Sequence, residues 1–210
     1  MLRLGERQTL KYLNKTDFGI YLGENEREKV LLPKKQVPEN LRPGDTLDVF
    51  IYRDSSDRLI ATTRQSLINL GNMAVLKVNE VGKIGAFLDW GLEKDLFLPF
   101  KEQTERVKPG NSYLVALYID KSNRLAATMK VYRYLKTTGK YQKDDMVTGT
   151  IYEINSEIGA FVAVDNEFYG LISKQEMHGK IEVGQTVSAR VTEVREDGKL
   201  NLSPNKKAYM

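Results

Sequence analysis

The chain has 210 residues, 41% hydrophobic and 29% charged, with a formal net charge of +4 and a pI near 9.0. That composition excludes a disordered chain, and the basic balance suits a polyanionic partner without requiring one. Cysteine is absent, the opening residues are too charged for a signal peptide, and no apolar run approaches the ~20 residues that span a bilayer. Disulfides and thiolate metal sites are therefore excluded, and a soluble cytoplasmic protein without membrane contact is expected.

One phrase recurs along the chain. Phe18-Gly19-Ile20-Tyr21-Leu22 returns as Ile84-Gly85-Ala86-Phe87-Leu88 and as Ile158-Gly159-Ala160-Phe161-Val162. Gly19 and Gly85 are 66 residues apart. So are Pro33 and Pro99, Pro43-Gly44 and Pro109-Gly110, Asp54 and Asp120, and Arg58-Leu59 and Arg124-Leu125. A third copy follows 74 residues later at Gly159, Ser173 and Gly184, and 75 later at Arg195 and Lys199-Leu200. An internal repeat of this kind marks a tandem array.

In each copy a first strand (Gln8 to Leu13, Ala74 to Val81, Val147 to Ile154) leads to the aromatic-bearing strand. A third strand ends at Pro33, Pro99 or Ser173, and a polar, lysine-rich connection turns at Gly44, Gly110 or Gly184. A fourth strand (Thr46 to Tyr52, Tyr113 to Ile119, Val187 to Val194) is rich in β-branched and aromatic residues. A tight polar turn joins it to a fifth. Five short strands per copy predict an all-β chain of three tandem five-stranded Greek-key barrels of the oligonucleotide-binding (OB) type. An SH3-like barrel has the same periodicity and stays open as the alternative. The expected boundaries are 1–68, 69–131 and 144–204 for the barrels, 132–143 for a basic linker and 205–210 for a tail.

Side chains alternate across a strand, so Ala160 and Val162 share one face and Phe161 takes the other. Phe87 and Tyr21 stand in the same position, which predicts a repeated aromatic on an outer surface. Trp90 is in phase with Ala86 and Leu88 and reads as packing at a barrel end. Between the first two copies little lies beyond Arg64 to Leu70, so those barrels are expected to sit close together. The second linker carries Lys130, Arg133, Lys136, Lys140 and Lys143 with no acidic residue. Their spacing would place the cations on one side of a helix, and Tyr132, Tyr134 and Tyr141 are interleaved. His178 is the only histidine and falls in a connecting loop.

The third copy closely resembles the RNA-binding domain of the ribosomal protein S-one type. The matching text is Val147-Thr148-Gly149-Thr150-Ile151, Ile158-Gly159-Ala160-Phe161-Val162, Gly170-Leu171-Ile172-Ser173, Val183-Gly184-Gln185 and Gly198-Lys199-Leu200-Asn201-Leu202-Ser203. The first two copies look like divergent members. The array as a whole, with Leu-Leu-Pro in place of the usual third-strand ending, resembles the bacterial conserved virulence factor B (CvfB) family. Members of that family carry a winged-helix domain after the third barrel, and none is in this sequence.

The resemblance implies a site for single-stranded RNA on the second, third and fifth strands. Its second aromatic is kept as Tyr21, Phe87 and Phe161. Its first is kept only as Phe18 and becomes Ile84 and Ile158. Its third-strand histidine is missing from every copy. Its Asp and Arg around the last turn are Asp54 with Arg58 and Asp120 with Arg124, and become Arg195 and Lys199 in the third copy. Together with Lys130, Arg133 and Lys136 from the linker, these are the candidate RNA contacts. Aromatics would stack on bases and the cations would take phosphates.

Structural readings compete. The three rings could pack between barrels, Arg58 and Arg124 could pair with Asp54 and Asp120, and the linker cations could form a solvated face. Arg195 and Lys199 lack an acidic partner at the matching position. No phosphate-binding glycine loop, cysteine nucleophile or paired-histidine motif is present. The expectation is a non-catalytic, cytoplasmic RNA-binding regulator of gene expression, without cofactor or metal. Two rivals share the same residues: a scaffold docking on a protein of the RNA machinery, and a subunit that holds substrate for a catalytic part elsewhere.

Overall fold

The structure, a computed structural model, describes residues 1–204. The tail expected at 205–210 lies outside the described residues. Strands β1 (Arg7–Thr16), β2 (Gly19–Asn25), β3 (Glu28–Pro33), β4 (Thr46–Arg53) and β5 (Leu59–Thr62) form the first barrel. Strands β6 (Met73–Val81), β7 (Gly85–Asp89), β8 (Leu96–Pro99), β9 (Ser112–Ile119) and β10 (Leu125–Thr128) form the second. Strands β11 (Met146–Asn155), β12 (Gly159–Val164), β13 (Phe168–Ser173), β14 (Thr186–Val194) and β15 (Leu200–Pro204) form the third.

The first and third barrels close in the orders β1-β2-β3-β5-β4 and β11-β12-β13-β15-β14, each with a parallel β3–β5-type ladder. The second has the ladder order β10-β9-β6-β7-β8, with β8 and β10 side by side. This is the OB arrangement and decides against the SH3-like alternative. The first strand of each barrel pairs with the fourth along one half and the second along the other. A register break between Tyr12 and Asn14, Val78 and Glu80, and Ile151 and Glu153 lets it turn the corner. Short 3-10 turns follow each third strand, at Lys34–Gln36, Phe100–Glu102 and Lys174–Glu176.

Gly159 shows why the recurring phrase needs its glycine. Its φ is +139°, and an added Cβ would stand 2.0 Å from the Ile172 carbonyl oxygen. Gly159→Ala is expected to lower stability by more than about 2 kcal/mol, read as a fall in the denaturant midpoint.

Alternation sets the cores. Ile20, Leu22, Val49 and Ile51 fill the first barrel; Ala86, Leu88, Val115 and Leu117 the second; Ala160, Val162, Val187 and Val191 the third. The fourth strands do more. Phe50 and Tyr52 point away from the first core and join the cluster of the second barrel, with Ile68 from the connection. Leu114 and Ala116 point away from the second core toward Tyr152 and Ala163 of the third barrel. Each of these strands is buried on both faces and ties its barrel to the next. On β14 the outward residues are Ser188, Arg190 and Thr192, and Arg190 is exposed.

Two expectations need correction. Trp90 packs between barrels, edge-on to Phe50 at 5.8 Å and to Tyr52 at 6.2 Å. The linker forms only a short 3-10 turn at Val131–Tyr134, not a helix with a basic face. Val131 and Leu135 are buried in the contact between the second and third barrels. The segment then pairs with the third barrel: the Lys136 N–H donates to the Glu167 carbonyl at 2.9 Å, and the Tyr169 N–H donates to the Lys136 carbonyl at 3.2 Å.

Candidate nucleic-acid interface

In the first barrel the chain turns between β1 and β2 with the Phe18 N–H donating to Thr16 Oγ1, which leaves the Phe18 ring 78% exposed. Tyr21 lies opposite Leu31 on β3 and is half-buried, with Lys29 Nζ 4.4 Å from its ring centroid. Arg58 is an ion-pair partner of Asp54 at 3.0 Å. Burial of Asp54 would raise its pKa, but the N–H groups of Arg58 and Ser56 and the Arg58 guanidinium hold the carboxyl below its usual range. That turn is self-satisfied.

In the second barrel Ile84 is exposed where Phe18 stands in the first. Phe87 faces Phe97 across the ladder, rings 5.6 Å apart. The face is not open: it lies in a cleft whose far wall is Arg53 and Asp57 of the first barrel. Arg124 pairs across that cleft with Asp57 at 2.5 Å, while only its backbone N–H reaches Asp120. The expected hairpin pair is thus replaced by a clasp between barrels.

The linker cations diverge. Lys130 is exposed at the end of the second barrel. Arg133 lines a recess with Lys101, Lys121 and Tyr118. Burial pushes the Tyr118 phenol up to about 12. Lys136 stands 3.9 Å from Glu167. None of these three cations lines the groove that holds Phe161.

The third barrel does gather its candidates. Phe161, Arg195 and Lys199 line one groove, with Tyr132, Tyr169 and Leu171. A second recess continues past Leu171 and Arg195 to Ser173 and Asn201, along β13 and β15. Phe161 is half-buried, its ring 6.2 Å from that of buried Tyr152. Arg195 is not without a partner: it pairs with Asp197 at 2.8 Å. Lys199 donates to the Tyr132 hydroxyl at 2.5 Å, and this bond holds its ammonium above the ordinary lysine range. Ile158 is exposed beside this face, and His178 is exposed in its loop.

With this geometry the comparisons are specific. A model of the S1 domain matches residues 4–64 and 70–130, and a model of the second domain of virulence regulatory factor CvfB matches 131–205. The chain belongs to the S1-domain family. It is 29% identical over 219 residues to the uncharacterized protein YitL of Bacillus subtilis, covering 96% of this chain and 70% of YitL. It is 25% identical over 174 residues to conserved virulence factor B of Staphylococcus aureus, covering 79% of this chain and 58% of that protein. A crystal structure of a multidomain protein with nucleic acid binding domains from Streptococcus pneumoniae shares the fold, with a TM-score of 0.64. It is 23% identical and the match covers 96% of this chain and 74% of that one.

On this S1 array, sequence reasoning missed Tyr169 and the placement of Tyr132. Tyr169 precedes the Gly170-Leu171-Ile172-Ser173 match, so strand alternation could have put it on the Phe161 face. The signal for Tyr132 was the apolar pair Val131 and Leu135, which docks the linker. Among the described residues, no group of three or more His, Cys, Asp or Glu side chains could hold a metal ion. No helix among them is long and apolar enough to cross a membrane.

Proposed function

We propose that this chain is a non-catalytic, cytoplasmic protein that binds single-stranded RNA and regulates bacterial gene expression, with the third barrel as its principal RNA site. The reading is carried by the convergence of Phe161, Arg195 and Lys199 in one groove of an S1-type barrel. An aromatic half-exposed on a β-surface offers sequence-tolerant stacking to an unpaired base, which a duplex would hide. Nearby cations hold the backbone. The first barrel contributes Tyr21 as a weaker platform, whereas Phe87 lies in the cleft walled by the first barrel; tethering raises the effect of an added contact through local concentration.

Fluorescence anisotropy with labelled single-stranded and duplex RNA tests this. The single strand is expected to bind tighter. Two phosphates neutralised by Arg195 and Lys199 should give a log–log salt slope of about −1.4, from about −0.7 per phosphate. Salt-insensitive binding, or none at low salt, would instead favour a scaffold that docks on a protein of the RNA machinery. A specific observation favours that second role for the first two barrels: Arg58 and Arg124 are already committed to Asp54 and Asp57.

A further inference from the structure

The linker between the second and third barrels is a fixed wall of the third barrel's groove. Val131 and Leu135 anchor it in the contact between barrels. Lys136 exchanges two backbone hydrogen bonds with the start of β13. Thr137 sits against the β14–β15 turn so closely that a Cβ on Gly198 would stand 2.9 Å from the Thr137 Cβ. Between these anchors Tyr132 leans over the groove, 46% exposed. Its ring centroid is 4.8 Å from that of Tyr169, at 54°. Lys199 Nζ stands 5.0 Å from the Tyr132 centroid and 4.9 Å from the Tyr169 centroid.

Resting on the RNA-binding reading above, we infer that Tyr132 and Tyr169 form a composite nucleobase wall, with Lys199 as the phosphate contact at its edge. The base packs on the outside of this wall. A ring sandwiched between two others needs about twice the 3.4 Å spacing of stacked bases, and 4.8 Å between the tyrosines is too little. The Lys199 ammonium already sits where the two ring faces and the Tyr132 hydroxyl concentrate negative charge. A phosphate is a stronger partner for it than a neutral phenol, so RNA draws it from the hydroxyl and leaves the ring surface to the base. The third barrel alone lacks half of this wall, because Tyr132 arrives from the linker.

The test uses the full chain and a single-stranded RNA carrying one 2-aminopurine, followed by anisotropy and by the quenching that stacking produces. Tyr132→Leu keeps the Val131 and Leu135 anchors. It is expected to weaken binding about ten-fold and to reduce the quenching. Tyr132→Phe keeps the ring, loses only the hydroxyl, and is expected to bind at least as tightly as the wild type. An unchanged thermal melt for both variants places the effect in the groove. If the wild type binds and Tyr132→Leu binds and quenches equally well, the composite wall is wrong while the RNA reading stands. If Tyr132→Phe loses as much as Tyr132→Leu, the hydroxyl rather than the ring matters, and the stacking wall is again wrong. If the wild type itself does not bind, the RNA reading fails and this inference with it.

Discussion

Trp90→Ala should lower the stability of the protein by about 3–5 kcal/mol and split its unfolding into separate transitions. The indole is 3% exposed and is wedged edge-on between Phe50 and Tyr52. Both rings project from β4 of the first barrel, whereas Trp90 follows β7 of the second. Its N–H donates to the Lys94 carbonyl at 2.5 Å, which fixes the ring in the interface. A barrel of some 60 residues buries too little apolar surface to be more than marginally stable alone. Removing the wedge should therefore decouple the two barrels as well as weaken both. The melting temperature should fall by about 6–20 °C, at roughly 2–4 °C per kcal/mol for a chain of this size. Calorimetry is the suitable measurement, because Trp90 is the only tryptophan and its loss removes the fluorescence probe. Trp90→Phe keeps most of the aromatic contact and should show a smaller fall and one transition. A single transition near the wild-type melting temperature for Trp90→Ala would assign the coupling to other contacts, such as the Arg124–Asp57 clasp.

Strand β4 and its counterpart β9 in the second barrel explain what could be read from the amino-acid order and what could not. The strands themselves were legible because each copy is punctuated by Gly and Pro and alternates between. Val-Phe-Ile-Tyr in β4 and Tyr-Leu-Val-Ala-Leu-Tyr in β9 are apolar on both faces, which signals a strand covered on both sides. The same residues are also strong β-formers, so propensity alone does not separate a doubly covered strand from an ordinary one. Arg195 has its partner Asp197 only two residues away, yet a search at the position of Asp54 and Asp120 overlooks it. Other features had no local signal. The Arg124–Asp57 pair joins residues of different barrels and depends on how those barrels dock. The linker cations occur at spacings of three and four, but a helix there would expose Val131 and Leu135 unless it docked. The buried alternative is a short 3-10 turn followed by backbone pairing to β13. Tertiary burial of two aliphatics overrode the charge pattern.

Phe161→Ala combined with Lys199→Ala should weaken single-stranded RNA binding on the order of 10- to 100-fold. The ring accounts for most of this, since a stacked base is worth about 1–3 kcal/mol. The lysine accounts for a change of a different kind: one lost phosphate contact should flatten the log–log salt slope by about 0.7. The single variants separate the two. Phe161→Ala should lower affinity at every salt concentration with the slope retained, and Lys199→Ala should reduce the slope. Some stability is lost as well, because Phe161 is half-buried with its ring 6.2 Å from that of Tyr152. An aromatic pair of this kind contributes about 0.5–1.5 kcal/mol, which corresponds to a melting shift of a few degrees. A collapse of tens of degrees would mean that the ring is a core residue. Wild-type affinity in the double variant would remove the third barrel from the interface. Lys199→Ala also releases the Tyr132 hydroxyl, so its effect on affinity mixes charge with the geometry of the wall. The salt slope is the cleaner measure of the lysine, because it follows the number of phosphates neutralised and is insensitive to how a neutral tyrosine is placed.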